Sequence, residues 1–148
     1  MSIEKATLSD LEELNELFDG YRVFYEKKSD KKTSREFLKE RIEQNESVIY
    51  ISRDVEGVAT GFVQLYPLFS STRMKRFWLL NDLYVDSSFR GQGFSKALIE
   101  KSKELCRETD ACGMMLETAK DNHVGNQLYP TTGWTLDEDH NFYSWDVE

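Results

Sequence analysis

The chain has 148 residues and a formal net charge of −8 at pH 7, with 39% hydrophobic and 13% aromatic residues. This length suits one domain with a substantial core, and the hydrophobic share excludes a disordered chain. The acidic charge disfavours nucleic acid as the main partner. Because "FWLL" is the longest apolar run and "MSIEKATLSD" lacks the apolar core of a signal peptide, we expect a cytoplasmic protein with no membrane partner.

The first half of the chain predicts one strand, two helices and three further strands. After a short strand, "SIEKA", a capping box of Thr7 and Asp10 predicts a helix whose apolar residues continue at helical spacing to Tyr25. A second box, Thr33 and Glu36, predicts the start of a shorter helix. The three strand-like segments that follow are "ESVIYISR", "VATGFVQLYPLFS" and "RFWLLNDLYVD". The last of them is apolar enough for a central strand that is covered on both faces.

The second half alternates helices and strands. From Phe94 the apolar period becomes that of an amphipathic helix. The segment "CGMMLETA" predicts a strand parallel to the strand before that helix. "HVGNQLYPTTGW" predicts a short helix that stops at Pro130 and Gly133, and "NFYSWDV" predicts a last strand after the polar turn "DEDH". The order β-α-α-β-β-β-α-β-α-β indicates a mixed α/β fold in a single domain over residues 1–148.

The joint before the Phe94 helix carries an arginine and two glycines, in "FRGQGFSK". Gly91 and Gly93 tolerate positive φ and let an anion approach the backbone, while the helix N-terminus adds partial positive charge. Arg90 adds a permanent cation. A plain left-handed turn with a surface arginine would explain the same residues. The segment has neither the Walker pattern nor the third glycine of a dinucleotide fingerprint, so a phosphate site here would be of another type.

Two motifs resemble the GNAT superfamily of N-acetyltransferases. "LYVDSSFRGQGFSKALI" resembles its motif A, with Arg90 and Gly93 at fixed positions and Ser95 where Gly or Ala is usual. "DNHVGNQLYPTTGW" resembles its motif B, with Gly125 where Ala is usual. The residues that match motif B are Asn122, Leu128, Tyr129, Gly133 and Trp134. The order of elements is similar to that fold from end to end. Two further segments, "YRVFYEKKSD" and "LYPLFSSTRMKRFWLLNDLYV", resemble a subgroup that acetylates small amines or amino acids.

The resemblance implies acetyl-CoA as cofactor. The backbone of the strand end would hold the pantetheine arm, and an N–H there would polarise the thioester carbonyl, an effect worth about 3 kcal/mol per donor. The glycine turn would bind the pyrophosphate. The cofactor-binding residues expected on this basis are Leu83, Tyr84, Val85, Arg90, Gly91, Gln92, Gly93, Phe94, Ser95, Lys96 and Asn122.

Three residues are candidates for catalysis. Tyr129 is the candidate general acid, because a phenol with a pKa of about 10 is protonated at neutral pH; the alternative is a core aromatic residue. Asp82 lies in an apolar strand, where its carboxylate either anchors the amine and relays its proton or merely caps local N–H groups. Glu117 is the second candidate base.

The end of the first helix is the candidate acceptor site. Tyr21, Arg22 and Tyr25 could grip a carboxylate-bearing amine, although ordinary helix packing with Arg22 in solvent explains them equally well. His123 and His140 do not make a metal site, and the ligands of a structural zinc site are missing.

We therefore expect an N-acetyltransferase acting on the primary amine of a small molecule, an amino acid or a polyamine-like compound, by direct attack in a ternary complex. Two alternatives stay open. One is a CoA-binding GNAT module that senses or regulates without catalysing, and the other is a protein or histone-type lysine acetyltransferase. Because dimers are common in the resembled family, a homodimer is also expected.

Overall fold

The computed structural model describes every residue from Met1 to Glu148, and these residues divide into two compact units, Met1–Glu117 and Thr118–Glu148. The prediction of a single domain over residues 1–148 stays a prediction. The strands, all in the first unit, are β1 (Ser2–Lys5), β2 (Val48–Arg53), β3 (Ala59–Ser70), β4 (Lys75–Val85) and β5 (Met114–Met115). The helices are α1 (Leu11–Phe24), α2 (Lys31–Glu43) and α3 (Phe94–Glu108) in the first unit and α4 (His123–Thr131) in the second.

The five strands form one sheet in the order β1-β2-β3-β4-β5. The first four strands are antiparallel, and β5 runs parallel to β4 as the crossover through α3 requires. The predicted mixed α/β fold is confirmed. None of the helices is long and apolar enough to cross a bilayer.

Helices cover both faces of the sheet, because successive side chains of a strand point to opposite faces. On one face, Leu14 of α1 and Leu38 of α2 share a buried cluster with Ile49, Ile51 and Phe62. On the other face, α3 packs against β2, β3 and β4, and its Lys101 lies 5.8 Å from the ring centre of Tyr50. The central strands β3 and β4 are therefore buried between two helical layers, as the apolar run in β4 predicts.

The helix starts differ in part from the prediction. The box of Thr7 and Asp10 is confirmed, but it caps a short 3₁₀ turn, Leu8–Asp10, that leads into α1. The second box is wrong. The Asp30 side chain accepts the backbone N–H of Thr33 at 3.1 Å, so Asp30 is the N-cap and α2 begins at Lys31. Both Asp30 and Thr33 have side chains that can cap a helix, so the sequence alone does not distinguish them. The N-cap is the one of the two whose backbone is not helical, which is Asp30.

The strands near the end of the chain are shorter than predicted. In β5 only Met114 and Met115 pair with β4. The predicted last strand is wrong, because residues 141–147 have no regular secondary structure. The segment "NFYSWDV" has strand propensity, but a strand also needs a hydrogen-bonded neighbour, and no strand of the sheet pairs with it.

The end of α4 follows from its sequence. Pro130 lies in the last turn of α4 and does not stop the helix. Proline has no backbone N–H, so its cost at this position is one missing hydrogen bond. Gly133 has a φ of 91°, and the N–H of Trp134 bonds back to the carbonyl of Tyr129 at 3.1 Å. This is a Schellman ending, so the prediction of a stop at Gly133 is confirmed.

Candidate active site

A β-bulge in β4 shapes the candidate acceptor site. Gln64 of β3 lies opposite Asp82, but the next residue, Leu65, lies opposite Leu80, so Asn81 is an extra residue on β4. Bulges of this kind re-aim side chains. Here Leu80 is buried opposite Leu65, while Asn81 and Asp82 both line the same cleft. The bulge therefore lets two neighbouring polar side chains of one strand reach the same space.

The cleft has a volume of about 300 Å³ and lies within the first unit. It is lined by Phe18, Tyr21, Arg22, Tyr25, Lys27, Phe37, Tyr66, Asn81 and Asp82. The structure thus brings together all three predicted substrate-binding residues and the first candidate base. Aromatic packing holds the wall in place, with ring centres 5.0 Å apart for Tyr21 and Tyr25 and 6.0 Å apart for Phe18 and Phe37.

Asp82 is a buried carboxylate with neutral partners only. The residue is 5% exposed. Its Oδ2 accepts a hydrogen bond from Gln64 Nε2 at 2.7 Å, and its Oδ1 accepts one from Asn81 Nδ2 at 3.1 Å. No cation forms an ion pair with it. Burial raises the pKa of Asp82, and hydrogen bonds from Gln64, Tyr21 and Asn81 oppose that rise. Such a carboxylate accepts a proton more readily than an ordinary surface aspartate.

A second buried residue fixes the orientation of the Gln64 amide. The Ser47 hydroxyl donates to Gln64 Oε1 at 2.8 Å, which leaves the amide nitrogen to face Asp82. Gln64 is fully buried and Ser47 nearly so. The chain of hydrogen bonds from Ser47 through Gln64 therefore holds the carboxylate in one position.

Two tyrosine hydroxyls near Asp82 stay protonated at neutral pH. Burial raises the pKa of Tyr66 to about 12, and the negative charge of Asp82 contributes to that rise. The same two causes, burial first, raise the pKa of Tyr25. These side chains can therefore donate hydrogen bonds in the cleft but cannot serve as bases there.

The glycine turn has the backbone conformation that the sequence predicts. Gly91 and Gly93 have φ values of 76° and 88°, and Gly93 is the N-cap of α3 without a side-chain cap. An added Cβ at either glycine would meet nothing within 4 Å. The first turn of α3 contains no acidic residue. The open N–H groups of a helix start, with no carboxylate to compete, fit a diphosphate group.

Arg90 contacts the end of β4 and the end of α1. Its Nε donates to the carbonyl of Val85 at 3.1 Å. The guanidinium carbon lies 5.1 Å from the ring centre of Phe24 and 5.9 Å from that of Tyr84. The arginine is therefore held beside the glycine turn by cation–π contacts and by one hydrogen bond.

The strand end before this turn has one open edge. The ladder between β4 and β5 ends at the pair Leu79 and Met115. Beyond it, residues 80–85 of β4, apart from the bulged Asn81, pair with β3 on one side and with no strand on the other. A Cβ on Gly61 would lie 2.5 Å from the carbonyl oxygen of Tyr84, so glycine is needed for this close approach of β3. An open edge of this kind can hydrogen-bond an extended ligand arm.

Comparison with known proteins decides the family. The model of the Acetyltransferase (GNAT) family matches residues 12–134. The chain belongs to this family. The N-acetyltransferase YhfO of Bacillus subtilis is 39% identical over 137 residues, which is 93% of this chain and 91% of YhfO. A probable acetyltransferase of Haemophilus influenzae is 32% identical over 123 residues, 83% of this chain and 84% of that protein.

A solved structure supports the same family. The crystal structure of a probable acetyltransferase, 40% identical, superposes with a TM-score of 0.95 over 100% of this chain and 99% of that chain. This GNAT chain is an acyltransferase of the N-acetyltransferase type, and members of the family use acetyl-CoA as the acetyl donor.

Of the remaining predicted site residues of this GNAT chain, two belong to the second unit, one just before α4 and one within it. Asn122 caps α4, because its Oδ1 accepts the N–H of Gly125 at 3.1 Å while its Nδ2 donates to Thr118 at 2.8 Å. A Cβ on Gly125 would lie 2.6 Å from Asn122 Nδ2, so an alanine here would require the Asn122 side chain to shift. Tyr129 is half-buried and packs edge to face with Trp134, with ring centres 5.9 Å apart.

The residues that line the cleft differ in part from the predicted catalytic and substrate-binding residues. Glu117 is exposed, lies two residues beyond β5 and does not line the cleft. The cleft residues that the sequence did not single out are Phe18, Lys27, Phe37, Tyr66 and Asn81. The only sequence signal for Asn81 was its place beside Asp82, since the bulge that turns it toward the cleft depends on the pairing with β3.

Proposed function

We propose that this GNAT acyltransferase moves the acetyl group of acetyl-CoA to the primary amine of a small molecule, by direct attack in a ternary complex. The observation that carries the proposal is Asp82, a buried carboxylate with neutral hydrogen-bond donors and no ion-pair partner, at the wall of a cleft large enough for a small amine. Such an isolated buried carboxylate is costly to keep, and perturbed groups of this kind concentrate at functional sites.

The proposed role of Asp82 is that of base. An ammonium group must lose one proton before its nitrogen can attack, and Asp82 accepts that proton directly or through a water molecule. The nitrogen then bonds to the acetyl carbon and the carbon–sulfur bond breaks. The departing thiolate takes up one proton, and the new amide nitrogen releases its second proton, which restores the proton donor. We propose Tyr129 as that donor, which is supported by the match of its helix to the second family motif.

The donor-binding residues are proposed on the same basis. The glycine turn with Arg90 would hold the diphosphate, the open edge of β4 from Leu83 to Val85 would hold the pantetheine arm, and Asn122 would contact that arm. Support comes from the positive φ at both glycines, from the absence of an acidic residue in the first turn of α3 and from the missing strand partner beside β4.

Two measurements test the proposal. Isothermal titration with acetyl-CoA tests donor binding, and a thiol-release assay across amino acids, polyamines, aminoglycosides and peptides tests turnover. We expect binding and turnover with a small amine. Binding without turnover would favour a sensing module, turnover with peptides alone would favour a protein lysine acetyltransferase, and no binding would contradict the proposal.

A further inference from the structure

The cleft contains two basic side chains as well as Asp82. Arg22, in the last turn of α1, and Lys27, just beyond that helix, both line it. Arg22 Nη1 donates to the carbonyl of Lys28 at 3.0 Å, which fixes one side of the guanidinium and leaves its other N–H groups available. Lys27 makes no side-chain hydrogen bond. Two cations and one carboxylate therefore line one small space.

Neither basic side chain has a carboxylate partner. The ion pairs of the chain involve Arg35, Arg41 and Arg53, among others, but no carboxylate oxygen lies within 4.0 Å of Arg22 or Lys27. This holds although the chain has an excess of acidic residues. Arg22 and Lys27 thus form no ion pair within the protein.

We infer that the acceptor carries a carboxylate in addition to its amine, so that it is a small molecule of the amino-acid class and not a polyamine. This inference rests on the proposed function. The amine would approach Asp82, and the carboxylate would pair with Arg22 and Lys27, where a guanidinium can bind it through two parallel hydrogen bonds. A polyamine would instead bring its second ammonium group against two positive side chains.

The size and walls of the cleft fit the same class. A volume of about 300 Å³ is at the low end for sites that bind small molecules. The remaining wall is largely aromatic, from Phe18, Phe37 and Tyr66, and can cover the carbon skeleton of one amino acid.

Matched pairs of acceptors test the inference. The thiol-release assay compares phenylalanine with phenethylamine, methionine with 3-(methylthio)propylamine, and lysine with cadaverine, so that each pair differs by one carboxylate. The readout is the ratio of kcat/KM for the amino acid to kcat/KM for its amine. Because both values come from one preparation, the ratio does not depend on the fraction of folded enzyme. We expect a ratio of at least about 10 for one pair, the factor that one charge-assisted contact supplies.

Variants then locate the contact. Arg22→Gln should lower the ratio by about tenfold and Lys27→Gln by a few-fold, whereas Arg22→Lys should keep part of it because the charge remains. Lys32→Gln removes the same charge as Lys27→Gln from an exposed position outside the cleft and should leave the ratio unchanged.

The outcomes distinguish a failure of this inference from a failure of the proposed function. Ratios at or below one in every pair, with good turnover of the amines, would overturn the inference and leave the acetyltransferase proposal standing. A ratio that Arg22→Gln and Lys27→Gln both leave unchanged would overturn it too. Thiol release with other amines of the wider screen but with none of these pairs would overturn the inference alone. No release with any amino acid, polyamine, aminoglycoside or peptide of that screen would overturn the proposed function and the inference with it.

Discussion

Asp82 shows how much of the candidate site depends on one residue. A carboxylate removed from water is stabilised most strongly by a cation, yet the structure supplies only neutral donors from Gln64, Asn81 and Tyr21. Burial therefore dominates, and the pKa of Asp82 is raised instead of lowered. An ion pair with a cation would stabilise the charged form of Asp82 but would also lower its pKa and make it a weaker base. Neutral hydrogen-bond donors stabilise the charge less and leave Asp82 the stronger base.

The first prediction concerns the pH dependence of turnover. Asp82 must be deprotonated to accept a proton, so kcat/KM should fall as pH drops through the raised pKa of Asp82, above the usual 3.8. Asp82→Asn should remove that limb of the profile and lower kcat by about 10²- to 10⁴-fold, the usual contribution of a general base. Steady-state thiol release between pH 4 and 9 measures both. Glu117→Gln tests the other candidate base. If Glu117→Gln loses the acidic limb of the pH profile and Asp82→Asn keeps it, the proposed role of Asp82 as base is contradicted.

The same substitution has a consequence for stability. A group whose pKa is raised on folding binds its proton more tightly in the folded state, so its contribution to the free energy of unfolding is lost as pH rises through the folded pKa. Asp82→Asn should therefore flatten the pH dependence of urea unfolding in that range, above about pH 3.8. An unchanged dependence would mean that Asp82 titrates like an ordinary surface aspartate.

Tyr129 gives the second prediction. If its phenol supplies the proton to the leaving thiolate, Tyr129→Phe should lower kcat by about 100-fold or more while the Kd for acetyl-CoA changes little. Tyr143→Phe, which removes the same hydroxyl from a ring that is 91% exposed in the single chain, is the matched control and should keep the wild-type kcat. A wild-type kcat in Tyr129→Phe would remove Tyr129 from the role of proton donor.

At the scale of elements, the glycine turn before α3 shows why one position, Gly93, requires glycine. Gly93 has a φ of 88° and open space where a Cβ would point, so glycine is needed there for backbone conformation and not for room inside the protein. Gly57, in the turn between β2 and β3, has a φ of 86° and the same open space. The two positions are therefore equivalent in backbone strain and differ only in what surrounds them.

This pair gives the third prediction. Gly93→Ala and Gly57→Ala should each lower the free energy of unfolding by about 1–2 kcal/mol, the cost of a left-handed conformation with a side chain. Only Gly93→Ala should also weaken acetyl-CoA binding, by about tenfold, because its methyl group projects where the diphosphate is proposed to lie. Urea unfolding and isothermal titration measure the two effects. Equal Kd values in both variants would contradict the proposed diphosphate site.

The elements also show what could be predicted from the sequence. Caps, glycine turns and apolar periods are local signals, so α1, α3, the glycine turn and the strands β2 to β4 could be predicted from neighbouring residues. The bulge at Asn81 and the absence of a strand over residues 141–147 depend on pairing between distant segments. The cleft could be predicted only in part for the same reason, since Tyr66 and Phe37 reach it from elements that are adjacent only after folding.

At the scale of the whole molecule, the end of the chain exposes an unusual amount of apolar surface. Phe142, Tyr143, Trp145 and Val147 are between 70% and 91% exposed, within six residues of strand-forming sequence. Exposed apolar groups in such density mark interaction surfaces, and a strand-forming segment without a neighbour has unpaired backbone groups to offer.

We propose that a second copy of the chain covers this segment, so that the protein is a homodimer in solution. Light scattering after size exclusion should then give twice the 17.3 kDa of one chain. Replacing Phe142 and Trp145 by Ser should shift the protein toward monomer, because it removes the largest apolar side chains of the segment. Phe69→Ser, at a phenylalanine 71% exposed on β3, is the matched control and should leave the mass unchanged. A mass of one chain for the wild type at every concentration, or a dimer that persists in the double variant, would contradict the proposal.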